Sequence, residues 1–125
     1  MSTAAAAATP SLYNSLSKQV EPMPPTHDPI THQRRPLTWY SCGPTVYDDT
    51  HLGHARSYVS TDILRRVMTN FFGYHVYYVL GMTDVDDKII QRSLELNVSA
   101  ASLAKKHERE FFEDLEALNC DAPNT

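Results

Sequence analysis

The chemically richest stretch of this sequence is Cys42-Gly43-Pro44-Thr45-Val46-Tyr47-Asp48-Asp49-Thr50-His51-Leu52-Gly53-His54. His51 and His54 lie three residues apart, so they share a face if a helix begins there. Gly53 between them removes a side chain and lets a ligand approach the backbone closely. A helix start favours anions through its free N–H groups and its dipole. Two imidazoles at that start can donate further hydrogen bonds to phosphate oxygens, and such donors do most when aimed at charge developing in a reaction. Cys42 offers a thiolate, the ligand type zinc prefers. On spacing alone, plainer roles stand beside these. Cys42 suits a small buried apolar residue, the histidines suit a surface or a helix cap, and all three together could form a self-contained metal site.

A second concentrated stretch is Gly81-Met82-Thr83-Asp84-Val85-Asp86-Asp87-Lys88-Ile89-Ile90-Gln91. Asp84 can cap a helix, with Asp87 in its first turn. Thr83 places a hydroxyl where it could face Cys42.

The elements needed to hold these stretches are readable from pattern. Leu37–Cys42 is rich in β-formers and runs into Gly43-Pro44, so it predicts a strand entering a turn. A helix is expected from about His51 to Phe72, capped by Asp49 or Thr50. Its apolar stripe would be Leu52, Ala55, Val59, Ile63, Val67 and Phe71. Gly73 would end it in the left-handed conformation. His75–Leu80 predicts a second strand, giving a βαβ unit with parallel strands and a right-handed crossover. A short helix is expected from near Asp84 through Ile90. A last one should run from about Ala100 to Leu118, burying Leu103, His107, Phe111, Leu115 and Leu118. The fold class is therefore α/β, with the ligand site at the carboxyl ends of the strands, where both chemical stretches lie. Residues 1–11 read as a disordered start, Leu12–Leu16 as a short strand or turn, and the proline-rich Glu21–Pro36 as irregular.

With 125 residues and 42% hydrophobic content, the chain suits at most one modest domain. Its formal net charge of −4 argues against a non-specific nucleic-acid coat. Two cysteines, Cys42 and Cys120, make no disulfide framework and suit a reducing compartment. No run approaches the ~20 apolar residues of a membrane span. The first ten residues lack the pattern of a secretory signal, and the first arginine is Arg34, so the expected location is cytoplasmic.

His51-Leu52-Gly53-His54 resembles the His-Ile-Gly-His signature of class I aminoacyl-tRNA synthetases. The longer phrase Cys42-Gly43-Pro44-Thr45-Val46-Tyr47-Asp48 is more specific and resembles the cysteine–tRNA ligases. Thr83 to Gln91 is similar to that family's Thr-Asp-Ile-Asp-Asp-Lys-Ile-Ile-Lys phrase, with Gln91 for the second Lys and Gly81 for a preceding Asn. The likeness extends over nearly all of residues 12–123. It implies the first half of a Rossmann-like class I synthetase catalytic domain, a parallel βαβ core with added C-terminal helices, spanning residues 12–125.

Further implications come with the resemblance. His51 and His54 would be catalytic. Pro44, Thr45, His51, Gly53 and His54 would contact ATP, accompanied by Mg2+. Gly43 and Thr83 would contact substrate cysteine. Lys88, Ile89, Ile90 and Gln91 match the Lys-Ile-Ile-Lys region. Cys42 would bind zinc, which in turn takes the substrate thiolate. The partners would be L-cysteine, ATP and tRNA, with no membrane.

The family's other zinc ligands, its second ATP-handling loop and its anticodon-binding region are not among these residues. The isolated chain is therefore expected to be inactive and marginally stable, with an exposed sheet edge and possible association with the missing half or a full-length chain. Three other readings are weighed: a cysteine:amino-sugar ligase of mycothiol synthesis, a non-catalytic interaction module, and a small metal-binding protein using Cys42, His51 and His54.

Overall fold

A computed structural model describes residues 9–125. The expected disordered start falls mostly on residues 1–8, outside the described residues. Thr9 and Pro10 carry no regular structure, and Ser11 already opens a strand. The chain's contacts divide it into two units: residues up to 38 with 64–77, and residues 39–63 with 78–125.

In the first unit, β1 (Ser11–Asn14) pairs antiparallel with β2 (Gln19–Pro22), in a register from Ser11 opposite Pro22 to Asn14 opposite Gln19. β2 overlaps the start of the proline-rich segment expected to be irregular. Pro22 instead stands at the end of an edge strand, where its missing N–H costs no ladder bond. The loop between them turns on Lys18 in the left-handed region, while the Asn14 side-chain oxygen accepts from the Leu16 amide at 2.9 Å. The following proline-rich segment is irregular but tied down. Tyr74, 3% exposed, donates its hydroxyl to the Pro24 carbonyl at 2.9 Å. Arg34 donates to the Gly73 carbonyl at 3.1 Å.

The expected βαβ unit is present. β3 (Pro36–Thr45) and β4 (His75–Thr83) form a two-stranded parallel sheet, with α1 (Leu52–Arg66) between them in sequence. Both strands run three residues further than pattern suggested, carrying Gly43-Pro44-Thr45 and Gly81-Met82-Thr83 within the strands rather than after them. Gly81 in place of the family's Asn therefore leaves the strand end intact. α1 passes into a π-helical turn, Val67–Phe71, before Gly73 adopts φ 74°.

The stripe expected on α1 is not its buried side. Leu52, Ile63 and Phe71 are 85%, 55% and 70% exposed. A strict four-residue spacing walks ~40° around a 3.6-residue helix at each step, so Ile63, Val67 and Phe71 spiral off the buried face. Ala55 and Val59 of the stripe are half-buried, and Tyr58 and Asp62 complete that face.

α2 (Asp87–Leu96) starts later than expected. Asp86, not Asp84, caps it by accepting from the Lys88 amide at 2.9 Å, and Asn97 closes it in the left-handed conformation. α3 (Ala100–Ala117) is capped by Ser99 and buries Leu103, His107, Phe111 and Leu115 as its periodicity predicted. Leu118 lies just past it and is 41% exposed. Val46, Ile89, Leu103 and Ala104 form the main core cluster, with Tyr47, Met82 and Ala100 against it.

The turn after α3 is fixed by Asn119 at φ 56° and by buried Asp62, whose carboxylate accepts from the Asp121 amide at 2.9 Å. Beyond it, Asn124 donates to the Tyr78 carbonyl at 2.8 Å and Leu80 donates to the Thr125 carbonyl at 2.9 Å. Part of the β4 edge, expected to be open, is thus occupied. No helix among the described residues is long and apolar enough to cross a membrane.

Candidate active site

β3 and β4 end side by side, with the Val46 amide donating to the Thr83 carbonyl at 3.2 Å. Cys42 is exposed near that end, its Sγ 3.6 Å from the Gly43 carbonyl oxygen. Gly43 is set against the neighbouring strand. A Cβ there would lie 2.6 Å from the Gly81 carbonyl oxygen, so only glycine allows this approach of the backbones. Pro44 is buried, whereas Thr45 and Thr83 are half-buried.

The start of α1 is capped by neither Asp49 nor Thr50. His51 holds that position. Its Nδ1 accepts from the Gly53 amide at 3.1 Å, while His54 Nδ1 accepts from the His51 amide at 3.3 Å. This is the reciprocal logic of a capping box, performed by two imidazoles. The rings stack with centroids 3.9 Å apart and planes 17° from parallel. A Cβ on Gly53 would stand 2.9 Å from His51 Nδ1, so the glycine is what lets the His51 ring fold back over the helix end.

The caps fix the tautomers. A neutral imidazole that accepts at Nδ1 carries its proton on Nε2. Both rings thus offer an Nε2–H donor at the positive end of a helix, with the backbone holding the opposite nitrogen. Burial first, and His51 second, hold the His54 imidazole below its ordinary value. The folded chain therefore resists protonating it. Stability is full above the unfolded imidazole value of about 6.5, falls as pH drops through it, and levels off below the depressed folded value. Thermal midpoints measured from pH 8 to pH 5 should show this acid limb, reduced in His54→Asn.

The displaced cap residues have other work. Thr50 donates its hydroxyl to the Asp114 carboxylate on α3, and Asp49 turns toward His107 on the same helix, 3.5 Å from its Nδ1. A cleft of about 390 Å³ lies between the start of α1 and α3, lined by His51, His54, Tyr58, Phe111 and Leu115 among others. Tyr58 packs edge-on to Phe111 with centroids 5.0 Å apart. Burial, then Tyr78 and Cys42 nearby, push its hydroxyl up to about 12, so it stays protonated at neutral pH. Sequence reasoning missed Tyr58 as a wall of this cleft. Its signal was its place one turn along from His54 on the same helix face.

The residues of the Lys88–Gln91 stretch have different surroundings. Ile89 is fully buried in the core. Lys88 places its Nζ 5.5 Å from the Tyr47 ring centroid, Ile90 is 47% exposed, and Gln91 donates to Glu95 at 3.4 Å. Cys42, His51 and His54 do not make a metal cluster either. Among the described residues, Asp49, His107 and Glu110 alone bring three potential ligand atoms within 4.8 Å of one another. Cys42 thus stands apart from the other potential metal ligands among the described residues.

A model of the family described as tRNA synthetases class I (C) catalytic domain matches residues 28–125. The chain is 46% identical over 112 residues to a probable mitochondrial cysteine–tRNA ligase of Xenopus tropicalis, covering 90% of this chain and 18% of that protein. It is 46% identical over 108 residues to a cysteine–tRNA ligase of Thermosynechococcus vestitus, covering 86% and 21%. It is 54% identical over 90 residues to a cytoplasmic cysteine–tRNA ligase of Dictyostelium discoideum, covering 72% and 14%. The matched region thus amounts to between a seventh and about a fifth of these relatives' lengths.

Proposed function

This chain belongs to the class I (C) tRNA synthetase catalytic-domain family, and from that premise we propose that it is the N-terminal part of the catalytic domain of a cysteine–tRNA ligase. The overall reaction joins the cysteine carboxylate to the α-phosphorus of ATP, breaking the bond to pyrophosphate. It then passes the cysteinyl group to the 3′ end of tRNA. The observation that carries the reading is the stacked His51–His54 pair at the start of α1. Its two Nε2–H groups and the helix dipole would meet the negative charge that builds on the phosphate oxygens as the new bond forms. Neither ring needs to transfer a proton, which suits a His54 held neutral.

The neighbouring residues take subsidiary parts. Gly53, Thr45 and Pro44 would contact ATP, which carries Mg2+, with Pro44 and Thr45 at the end of β3. Gly43 and Thr83, on adjoining strand ends, would face the substrate cysteine. Cys42 would be one ligand of a zinc ion whose other ligands lie outside these residues, and no step is assigned to that metal. Lys88 and Gln91 remain available at the surface, while Ile89 serves the core. The relatives' names divide between cytoplasm and mitochondrion.

The test is a chimera in which this chain replaces its matching residues in the Thermosynechococcus vestitus relative. The chimera should charge tRNA with cysteine. The 125-residue polypeptide alone should not, because it holds one side of the phosphate site and only Cys42 of the expected zinc ligands. A chimera that folds but fails to charge tRNA would contradict the proposal, and multiple-turnover charging by the polypeptide alone would contradict the division of labour. Association of the polypeptide with the relative's remaining portion, read by size-exclusion chromatography, would support its role as a complementing half.

A further inference from the structure

We propose that Asp49, His107 and Glu110 form a binding site for a borderline divalent transition-metal ion such as Zn2+, separate from Cys42 and independent of the ligase reading. His107 is 7% exposed, and its Nδ1 and the Glu110 Oε2 are buried with no hydrogen-bond partner. Buried polar atoms of this kind need an explanation. Both point at the same spot: His107 Nδ1 stands 3.1 Å from Glu110 Oε2 and 3.5 Å from Asp49 Oδ1. A proton on Nδ1 could bond well to only one carboxylate, and neither contact meets hydrogen-bond geometry. A metal ion would satisfy all three atoms.

The spacing fits such an ion. Zinc binds His nitrogen and carboxylate oxygen at about 2.0–2.2 Å in tetrahedral geometry, which sets neighbouring ligand atoms about 3.4 Å apart. The two observed separations bracket that value. One imidazole with two carboxylates favours this class over calcium, which takes six to eight oxygen ligands at longer distance. The scaffold is suited to hold it. His107 and Glu110 are one turn apart on α3, so the helix fixes their relation. Lys106 Nζ, 3.6 Å from the other Glu110 oxygen, orients that carboxylate. Asp49 arrives from the loop before α1, and its charge is also felt by Arg92. A bound ion with water in its fourth position would clamp the Asp49–His51 turn to α3 and so steady the stacked histidines.

The experiment uses the 125-residue chain carrying Cys42→Ser, which removes the exposed thiol. Zn2+ is titrated by calorimetry, and thermal unfolding is followed with and without it. One equivalent should bind saturably and raise the midpoint. Asp49→Asn and Glu110→Gln keep side-chain size and leave the buried His107 in place. Each should weaken Zn2+ at least ~10-fold, the scale on which even outer-shell losses act, and should abolish the midpoint shift. His32→Asn, at an exposed histidine outside the cluster, should leave Zn2+ affinity unchanged. The proposal is overturned by the absence of saturable binding in the Cys42→Ser chain, or by binding that survives both carboxylate substitutions.

Discussion

His54→Asn in the chimera should lower cysteine-dependent ATP–pyrophosphate exchange by about a hundred- to a thousandfold, the usual effect of deleting one donor to developing charge. The same substitution should leave the thermal midpoint at pH 8 nearly unchanged. The two outcomes separate because the two ring nitrogens have different work. His54 Nδ1 accepts from the His51 amide, and an Asn side-chain oxygen can take over that bond. Nothing in Asn reaches the place of Nε2. His54→Gln should show the reverse bias, since its longer amide approaches the Nε2 position while serving the cap poorly. Unaltered exchange in a folded His54→Asn chimera would show that the ring serves the helix end alone.

The second large effect is structural. Phe111→Ala should destabilise the chain by about 3–5 kcal/mol, the cost of removing a fully buried aromatic ring and leaving a cavity. Phe111 is 2% exposed and meets the edge of Tyr58. It therefore joins α3 to α1, at whose start both histidines stand. Domains are stable by only about 5–15 kcal/mol, so this loss should bring the chain close to unfolding in water. Phe112→Ala, at a ring 38% exposed, should cost far less. Urea denaturation followed by circular dichroism checks both, and comparable losses for the two would mean that α3 is docked on another face.

Sequence pattern revealed the large periodic features and the rare phrases. α3 shows its buried side because Leu103, His107, Phe111 and Leu115 repeat at helical spacing, and the βαβ unit shows because β-rich runs flank a long helix. The Cys42-to-His54 phrase indicated the family since confirmed by the comparisons. What stayed hidden depends on which of several capable side chains makes a particular bond. Asp49, Thr50 and His51 can all cap a helix. His51 does so because Gly53 leaves room for its ring, while α3 draws Thr50 and Asp49 away. Asp84 and Asp86 are likewise equivalent on paper, and the three-residue extension of β4 decides for Asp86. The cluster at His107 joins residues far apart in sequence. Periodicity could place His107 inside without showing that two carboxylates would converge on it.

The most direct measurement is the amino-acid dependence of ATP–pyrophosphate exchange by the chimera. The account predicts exchange with cysteine and little with serine, because the strand-end corner from Cys42 to His54 is assigned to holding a thiol-bearing amino acid beside ATP. A well-folded chimera that exchanges equally with both amino acids, or not at all with cysteine, would contradict it.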